Sequence, residues 1–307
     1  MQIIRNGVTD GRKKVVALGN FDGLHRAHTA IIKNCCMYAQ EKEIESCVLL
    51  FADHTRNVIA KQRIKLLTNE KEKLEILENL GVDCVYIREF DSEFMHLSPE
   101  EFIRMLVSKL NPQAVCVGYD YRFGYKAGGD VATLKSLGEK YGFEVVVTDE
   151  MKTSGVTIKS TKIRELVCEG DVDEAALFLG RPFSLSGEVT KGLRNGHKLG
   201  TPTANISYNE NKILPKEGVY MGYTTVDGVA YDSVINVGNN PTFNAKTITV
   251  ESHILGFSND IYGKTVKVDF IKRIRGDKKF GSLDELKEQI KNDIQTAKEQ
   301  LHTGKER

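Results

Sequence analysis

The first half of the chain alternates two apolar patterns. Short, mostly apolar runs fall at 15–18, 46–51, 83–87, 114–117 and 144–147, with the length and β-branched content of buried strands. Helical patterns lie between them. The first helix is expected to start near His28. Asn69 can cap a second through Leu80, ended by Gly81. Ser98-Pro99-Glu100-Glu101 joins an N-cap, a proline at the first helical position and a capping-box glutamate. Strands separated by helices predict a parallel sheet covered on both faces. Ligands in such sheets bind beyond the carboxyl ends of the strands. Residues 19–28 and 118–124 each follow a strand directly.

From about Ser184 the pattern changes. Long helical repeats stop, and short β-rich runs appear at 185–190, 219–226, 229–237, 247–255 and 265–273. Gly and Asn turns separate them, Asp227-Gly228 among these. This pattern predicts an antiparallel barrel or sandwich. A last helix opens on the capping box Ser282-Leu283-Asp284-Glu285 and runs to about Gln300, with 303–307 expected as a loose tail. The fold class is therefore α/β followed by β, with domains at 1–181 and 182–307.

Composition narrows the picture in three ways. A length of 307 residues suits two domains. A net charge of +1 argues against a general nucleic-acid binder, and no apolar run approaches the ~20 residues that cross a membrane. The opening MQIIRNGVTDGRKK lacks the apolar core of a secretory signal. Six cysteines, at 35, 36, 47, 84, 116 and 168, form no C-x-x-C pair. That usage fits a reducing cytoplasm better than a disulfide framework.

Candidate chemistry sits where strands end. His25 and His28 lie three apart between a strand and a helix, with glycines at 19 and 23. A helix start offers unpaired N–H groups and a positive dipole end, and glycine lets a backbone approach an anion. Two imidazoles there suit the phosphates of a nucleotide; surface histidines, or the first ligands of a metal site, are the alternatives. Ser160 and Thr161 with Arg164 place hydroxyls and a guanidinium near another helix start. Residues 191–206, KGLRNGHKLGTPTANI, form a loop rich in glycine and basic residues whose backbone can wrap phosphates. Thr203 and Asn205 are two apart, so in an extended segment they face one side and can hold a hard cation such as Mg²⁺.

These segments resemble, in order, the motifs of the bacterial bifunctional riboflavin kinase/FAD synthetases, a branch of the nucleotidyltransferase superfamily. Gly19-Asn20-Phe21-Asp22-Gly23-Leu24-His25-Arg26-Ala27-His28 is similar to G-x-F-D-G-x-H-x-G-H, and 118–124 (GYDYRFG) to G-x-D/N-F-R-F-G. Ser160-Thr161-Lys162-Ile163-Arg164 is similar to the end of S-S-T-x-I-R. Residues 192–205 are similar to the flavokinase G-x-x-L-G-x-P-T-A-N element, and Glu251-Ser252-His253-Ile254-Leu255 to E-x-H-x-L. The chain departs from the family at Ala27, Ala52, Tyr121, Lys159 and Gly256. After the second strand, His54 keeps its register while both prolines of T-F-D-P-H-P are lost.

The resemblance implies a Rossmann-like nucleotidyltransferase domain and a flavokinase β-barrel, with ATP, riboflavin and FMN as ligands and no nucleic acid or membrane partner. It implies that Gly19, Phe21, Asp22, Gly23, His54, Asp120, Arg122, Ser160 and Thr161 bind ATP and FMN, with His25, His28 and Arg164 stabilising charge during adenylyl transfer. In the second domain it implies ATP and riboflavin contacts from Lys191, Gly192, Lys198, Gly200, Pro202, Asn236 and Arg275. Thr203 and Asn205 would hold Mg²⁺, and Glu251 would act as base. A riboflavin kinase whose first domain is only a nucleotide-binding regulatory module is the alternative.

Overall fold

The computed structural model describes residues 1–7, 10–52, 64–191, 200–239 and 248–305. These divide into two compact units, Met1–Ser160 and Thr161–Arg307. His54, Gly192 and Lys198 lie outside the described residues.

The first unit is built on a six-stranded sheet ordered β1-β4-β3-β2-β5-β6. Its strands are β1 (Gln2–Arg5), β2 (Lys14–Leu18), β3 (Glu45–Phe51), β4 (Cys84–Arg88), β5 (Pro112–Gly118) and β6 (Glu144–Thr148), all paired in parallel. Every residue of β2 is buried. Alternate side chains enter two cores: Val15, Ala17, Val48 and Cys116 on one face, Val16, Leu18, Cys47 and Val115 on the other. Helices α1 (Arg26–Glu41) and α2 (Glu70–Asn79) cover the first face. The second face is covered by α4 (Pro99–Leu110) and α5 (Val131–Tyr141), with α3 (Ser92–Met95) beside them. The expected Ser98/Glu101 capping box forms, and the expected cap at Asn69 closes a full box with Glu72. Helix α1 starts earlier than expected because His25 itself is the N-cap.

The strand order turns at β2. The chain steps outward from β2 to β3 and β4, then crosses back to place β5 on the other flank of β2. Such a switch point leaves a crevice at the carboxyl ends of its two central strands. The loops entering it are 19–25 and 119–130.

The second unit holds α6 (Ser160–Glu169, whose first residue closes the first unit), α7 (Val172–Leu179) and a closed antiparallel barrel ordered β10-β13-β12-β11-β14-β9. Its strands are β9 (Phe183–Thr190), β10 (Ala204–Ile206), β11 (Gly218–Val226), β12 (Val229–Asn239), β13 (Ile248–Ile254) and β14 (Thr265–Gly276). Asp227 and Gly228, at φ 48° and 82°, close the β11–β12 hairpin, which matches a turn with two left-handed residues. Inside the barrel the Thr224 and Ser252 hydroxyls satisfy each other at 2.7 Å. Helix α8 (Leu283–Lys305) packs Ala297 and Leu301 on Met221 of the barrel. It continues through the stretch expected as a loose tail, as far as Lys305.

Two helices precede the barrel in this unit, although the sequence pattern alone placed the boundary after them. Helix α7 packs on β9 and β14, and the Val167 carbonyl of α6 accepts from the Lys216 N–H.

Candidate functional sites

Three segments converge in the first unit. The β2–α1 loop turns tightly, with Phe21, Gly23 and Leu24 all at positive φ. Asp22 faces inward: its carboxylate accepts from the Leu67 N–H at 3.1 Å and the Thr68 N–H at 3.2 Å. The Thr68 hydroxyl accepts from Gly23 N–H at 2.9 Å. Asp22 therefore holds the loop's shape. The Ser160 hydroxyl donates to the Asp22 carbonyl at 2.9 Å, and the Lys159 ammonium pairs with Asp120 at 3.4 Å. Those two contacts bring residues 159 and 160 of the first unit to both loops of the switch point. Thr161 follows Ser160 in the first turn of α6, and Arg164 lies one turn further along that helix.

The two histidines are organised by the helix start. His25 Nδ1 accepts from the His28 N–H at 3.3 Å, so its proton sits on Nε2. The rings stack with centroids 3.6 Å apart, and Phe21 meets His28 edge-on. Burial, then His25 and Lys73, hold the His28 imidazole well below its ordinary pKa. His28 is thus a neutral hydrogen-bonding group, a form that can still stabilise charge by donating. Among the described residues its buried Nδ1 has no partner, an arrangement that costs about 1–3 kcal/mol and calls for a functional reason.

The neutral state has a pH signature. Folded His28 resists a proton that the unfolded chain accepts near 6.5. Stability is therefore complete above that pH and falls as pH drops below it, by up to about 1.4 kcal/mol per pH unit. Urea unfolding from about pH 7.5 to about pH 5 should show this slope, and His28→Gln should flatten it. Equal slopes would contradict a neutral His28.

Gly118 closes β5, and the turn after it is fixed by Tyr121 N–H donating to the Gly118 carbonyl. Phe123 is buried against Phe102 and stacks on Tyr121, while Arg122 is exposed near Asp130 at 3.7 Å. Gly124 sits at φ 73°, and a Cβ there would lie 2.7 Å from Pro99 N. Gly124→Ala is expected to destabilise by about 1–3 kcal/mol through strain and contact. Gly142→Ala, at φ 80° with nothing within 4 Å, should cost less. Denaturant midpoints compare them, and equal losses would exclude the contact. Ala27 lies in α1 without positive φ, so the methyl group there strains nothing.

The second unit carries a separate polar row on the barrel exterior. On β13, Val250, Ser252 and Ile254 are buried, so Glu251 and His253 point outward. Glu251 is the direct cross-strand partner of both Asn205 on β10 and Asn236 on β12. The Thr203 hydroxyl donates to Glu251 Oε2 at 3.0 Å. Sequence spacing indicated the Thr203–Asn205 pairing. The register places both beside Glu251, forty-odd residues away in sequence.

A cavity of about 590 Å³ opens beside this row. Val189, Ala204, Ile254, Phe257 and Tyr262 supply apolar surface, and Thr203 lies at its edge. Segment 257–262 carries no recognisable motif and was not expected at a site. Lys191 is exposed at the end of β9, and Gly200 adopts φ 77°. Arg275 is engaged elsewhere: its guanidinium contacts the buried Asp293 of α8 at 2.8–3.1 Å. It ties the terminal helix to the barrel.

A family model described as FAD synthetase matches residues 8–162, and one described as riboflavin kinase matches 179–301. Bifunctional riboflavin kinase/FMN adenylyltransferases from Listeria monocytogenes and Bacillus subtilis are each 34% identical to this chain. The first alignment covers 92% of this chain and 90% of the relative, the second 93% and 92%. The Escherichia coli K12 relative of the same name is 35% identical over 93% and 92%. A solved structure titled macrolide-efflux protein, from Streptococcus pneumoniae, superposes with a TM-score of 0.90 at 28% identity, covering 97% of this chain and 99% of that one. Among the described residues no helix is long and apolar enough to cross a membrane.

Proposed function

The chain belongs to the bifunctional riboflavin kinase/FMN adenylyltransferase family, and from that premise we propose that it converts riboflavin to FMN in its second domain and FMN to FAD in its first. Adenylyl transfer is assigned to 1–181 and phosphorylation to 182–307.

The Thr203–Glu251 hydrogen bond carries the kinase reading. Glu251 accepts the proton of the ribityl 5′-hydroxyl as that oxygen bonds to the γ-phosphorus of ATP, and ADP leaves. Asn205 and Asn236 flank Glu251 on the same face and orient the hydroxyl and phosphates. The oxygens of Thr203 and Asn205 fit a hard cation that shares its shell with phosphates. Mg²⁺, when bound there, offsets charge on the nucleotide. The apolar cavity at Thr203 suits the adenine ring, a flat group whose burial fixes orientation.

In the first domain an FMN phosphate oxygen attacks the α-phosphorus of ATP. The α–β bridging bond breaks and pyrophosphate leaves. The reaction needs positioning and charge stabilisation, with no covalent enzyme intermediate. His25, through its Nε2–H, and His28 donate to the phosphates. Backbone at Gly19 and Gly23 lets them approach, and Ser160, Thr161 and Arg164 hold the distal phosphates. Phe21, Asp120 and Arg122 complete the nucleotide and flavin contacts. Six free cysteines support a reducing cytoplasm. Supplying the protein with riboflavin, ATP and Mg²⁺, and separating FMN from FAD, tests both assignments.

A further inference from the structure

We propose that His253 is a positioning residue for phosphorylation, holding the segment that carries Thr203 against the strand that carries Glu251. The proposal rests on the kinase reading above.

The β10 ladder starts at Ala204, where Ala204 pairs with Ser252 and Asn205 with Glu251. Pro202 has no N–H and cannot extend that ladder. Without another tie, Gly200-Thr201-Pro202-Thr203 would leave the sheet just before Ala204, taking the proposed metal ligand Thr203 with it. His253 supplies the tie. Its Nδ1 lies 2.8 Å from the Pro202 carbonyl oxygen. A carbonyl only accepts, so Nδ1 carries the proton and donates. Glu251 and His253 are alternate residues on one outward face of β13. They grip successive residues of the incoming segment: His253 the Pro202 backbone, Glu251 the Thr203 hydroxyl.

The division of labour follows. Glu251 takes part in the chemistry, and its bond to Thr203 competes with substrate and metal for the same lone pairs. His253 has no such competitor at Pro202, so it sets where Thr203 Oγ1 sits when Glu251 turns to its substrate. Partners that orient a metal ligand commonly change metal affinity about 10- to 100-fold when removed.

The test uses the full chain and two variants, His253→Ala and His253→Asn. The asparagine side-chain N–H can reach the Pro202 carbonyl from nearly the position of Nδ1. Calorimetric titration with ADP, with and without Mg²⁺, reads the affinity that the metal adds. His253→Ala should reduce that gain by about tenfold or more. Its kcat for riboflavin phosphorylation should fall while KM for riboflavin stays near the parent value. His253→Asn should recover most of both losses. An alanine variant with parent-like Mg·ADP binding and kcat overturns the proposal, as does an asparagine variant impaired as severely as alanine. A parent protein whose ADP affinity ignores Mg²⁺ would instead remove the metal site itself.

Discussion

Glu251→Gln is expected to slow riboflavin phosphorylation by about 10²–10⁴-fold, the usual contribution of a positioned general base. Glutamine keeps the shape of the side chain and can still accept from the Thr203 hydroxyl, now 3.0 Å from Glu251 Oε2. It cannot take a proton at neutral pH. The loss should therefore appear in kcat, with KM for riboflavin little changed. Glu251 points out of the barrel core, so melting behaviour should match the parent. Adenylylation of supplied FMN, assigned to the other domain, should continue. Single-turnover phosphorylation at the parent rate would remove Glu251 from the base role.

His28→Ala is expected to depress FAD formation from FMN by about 10²–10³-fold, the typical effect of deleting one donor to developing charge. The argument rests on how firmly the imidazole is placed. It stacks on His25 at 3.6 Å, meets Phe21 edge-on and keeps Nδ1 buried with no partner among the described residues. Such a group is held for a ligand. Because the substitution also removes a stacking partner, riboflavin phosphorylation by the same preparation serves as the control, and it should persist. Loss of both activities in a folded variant would argue for one shared site.

The architecture was largely legible because apolar periodicity reports burial. Strands buried on both faces, such as β2 and β5, stood out as continuous apolar runs. Two strands did not. β1 is an exposed edge strand, with only Ile4 partly buried, and β10 has three residues, too few for any period to register. Helical texture continues to Gly180 and sets the expected boundary there; the packing of α7 on β9 and β14 involves strands that come later in the chain.

At the candidate sites, sequence revealed what is local. The glycines, the paired histidines and the Thr203–Asn205 spacing are short-range patterns. Long-range contacts were hidden because strand register is not written in any motif. Asp120 meets Lys159, Thr203 meets Glu251, and Pro202 meets His253 only once the sheets form. The inward turn of Asp22 and the grip of Asp293 on Arg275 were hidden for the same reason. Asp22 and Arg275 read as ligand contacts in sequence, and both also hold elements together in the fold. The neutral state of His28 depends on burial and on Lys73 of a distant helix, which spacing does not report.

The central claim is that one chain carries both reactions in two separable sites. Purified protein incubated with riboflavin, excess ATP and Mg²⁺, sampled over hours and resolved by chromatography, tests it most directly. The account expects riboflavin to be consumed, FMN to rise first and FAD to follow. Accumulation of FMN alone, with ATP still present, would contradict adenylyl transfer by the first domain. Riboflavin left unchanged, while supplied FMN becomes FAD, would contradict the kinase.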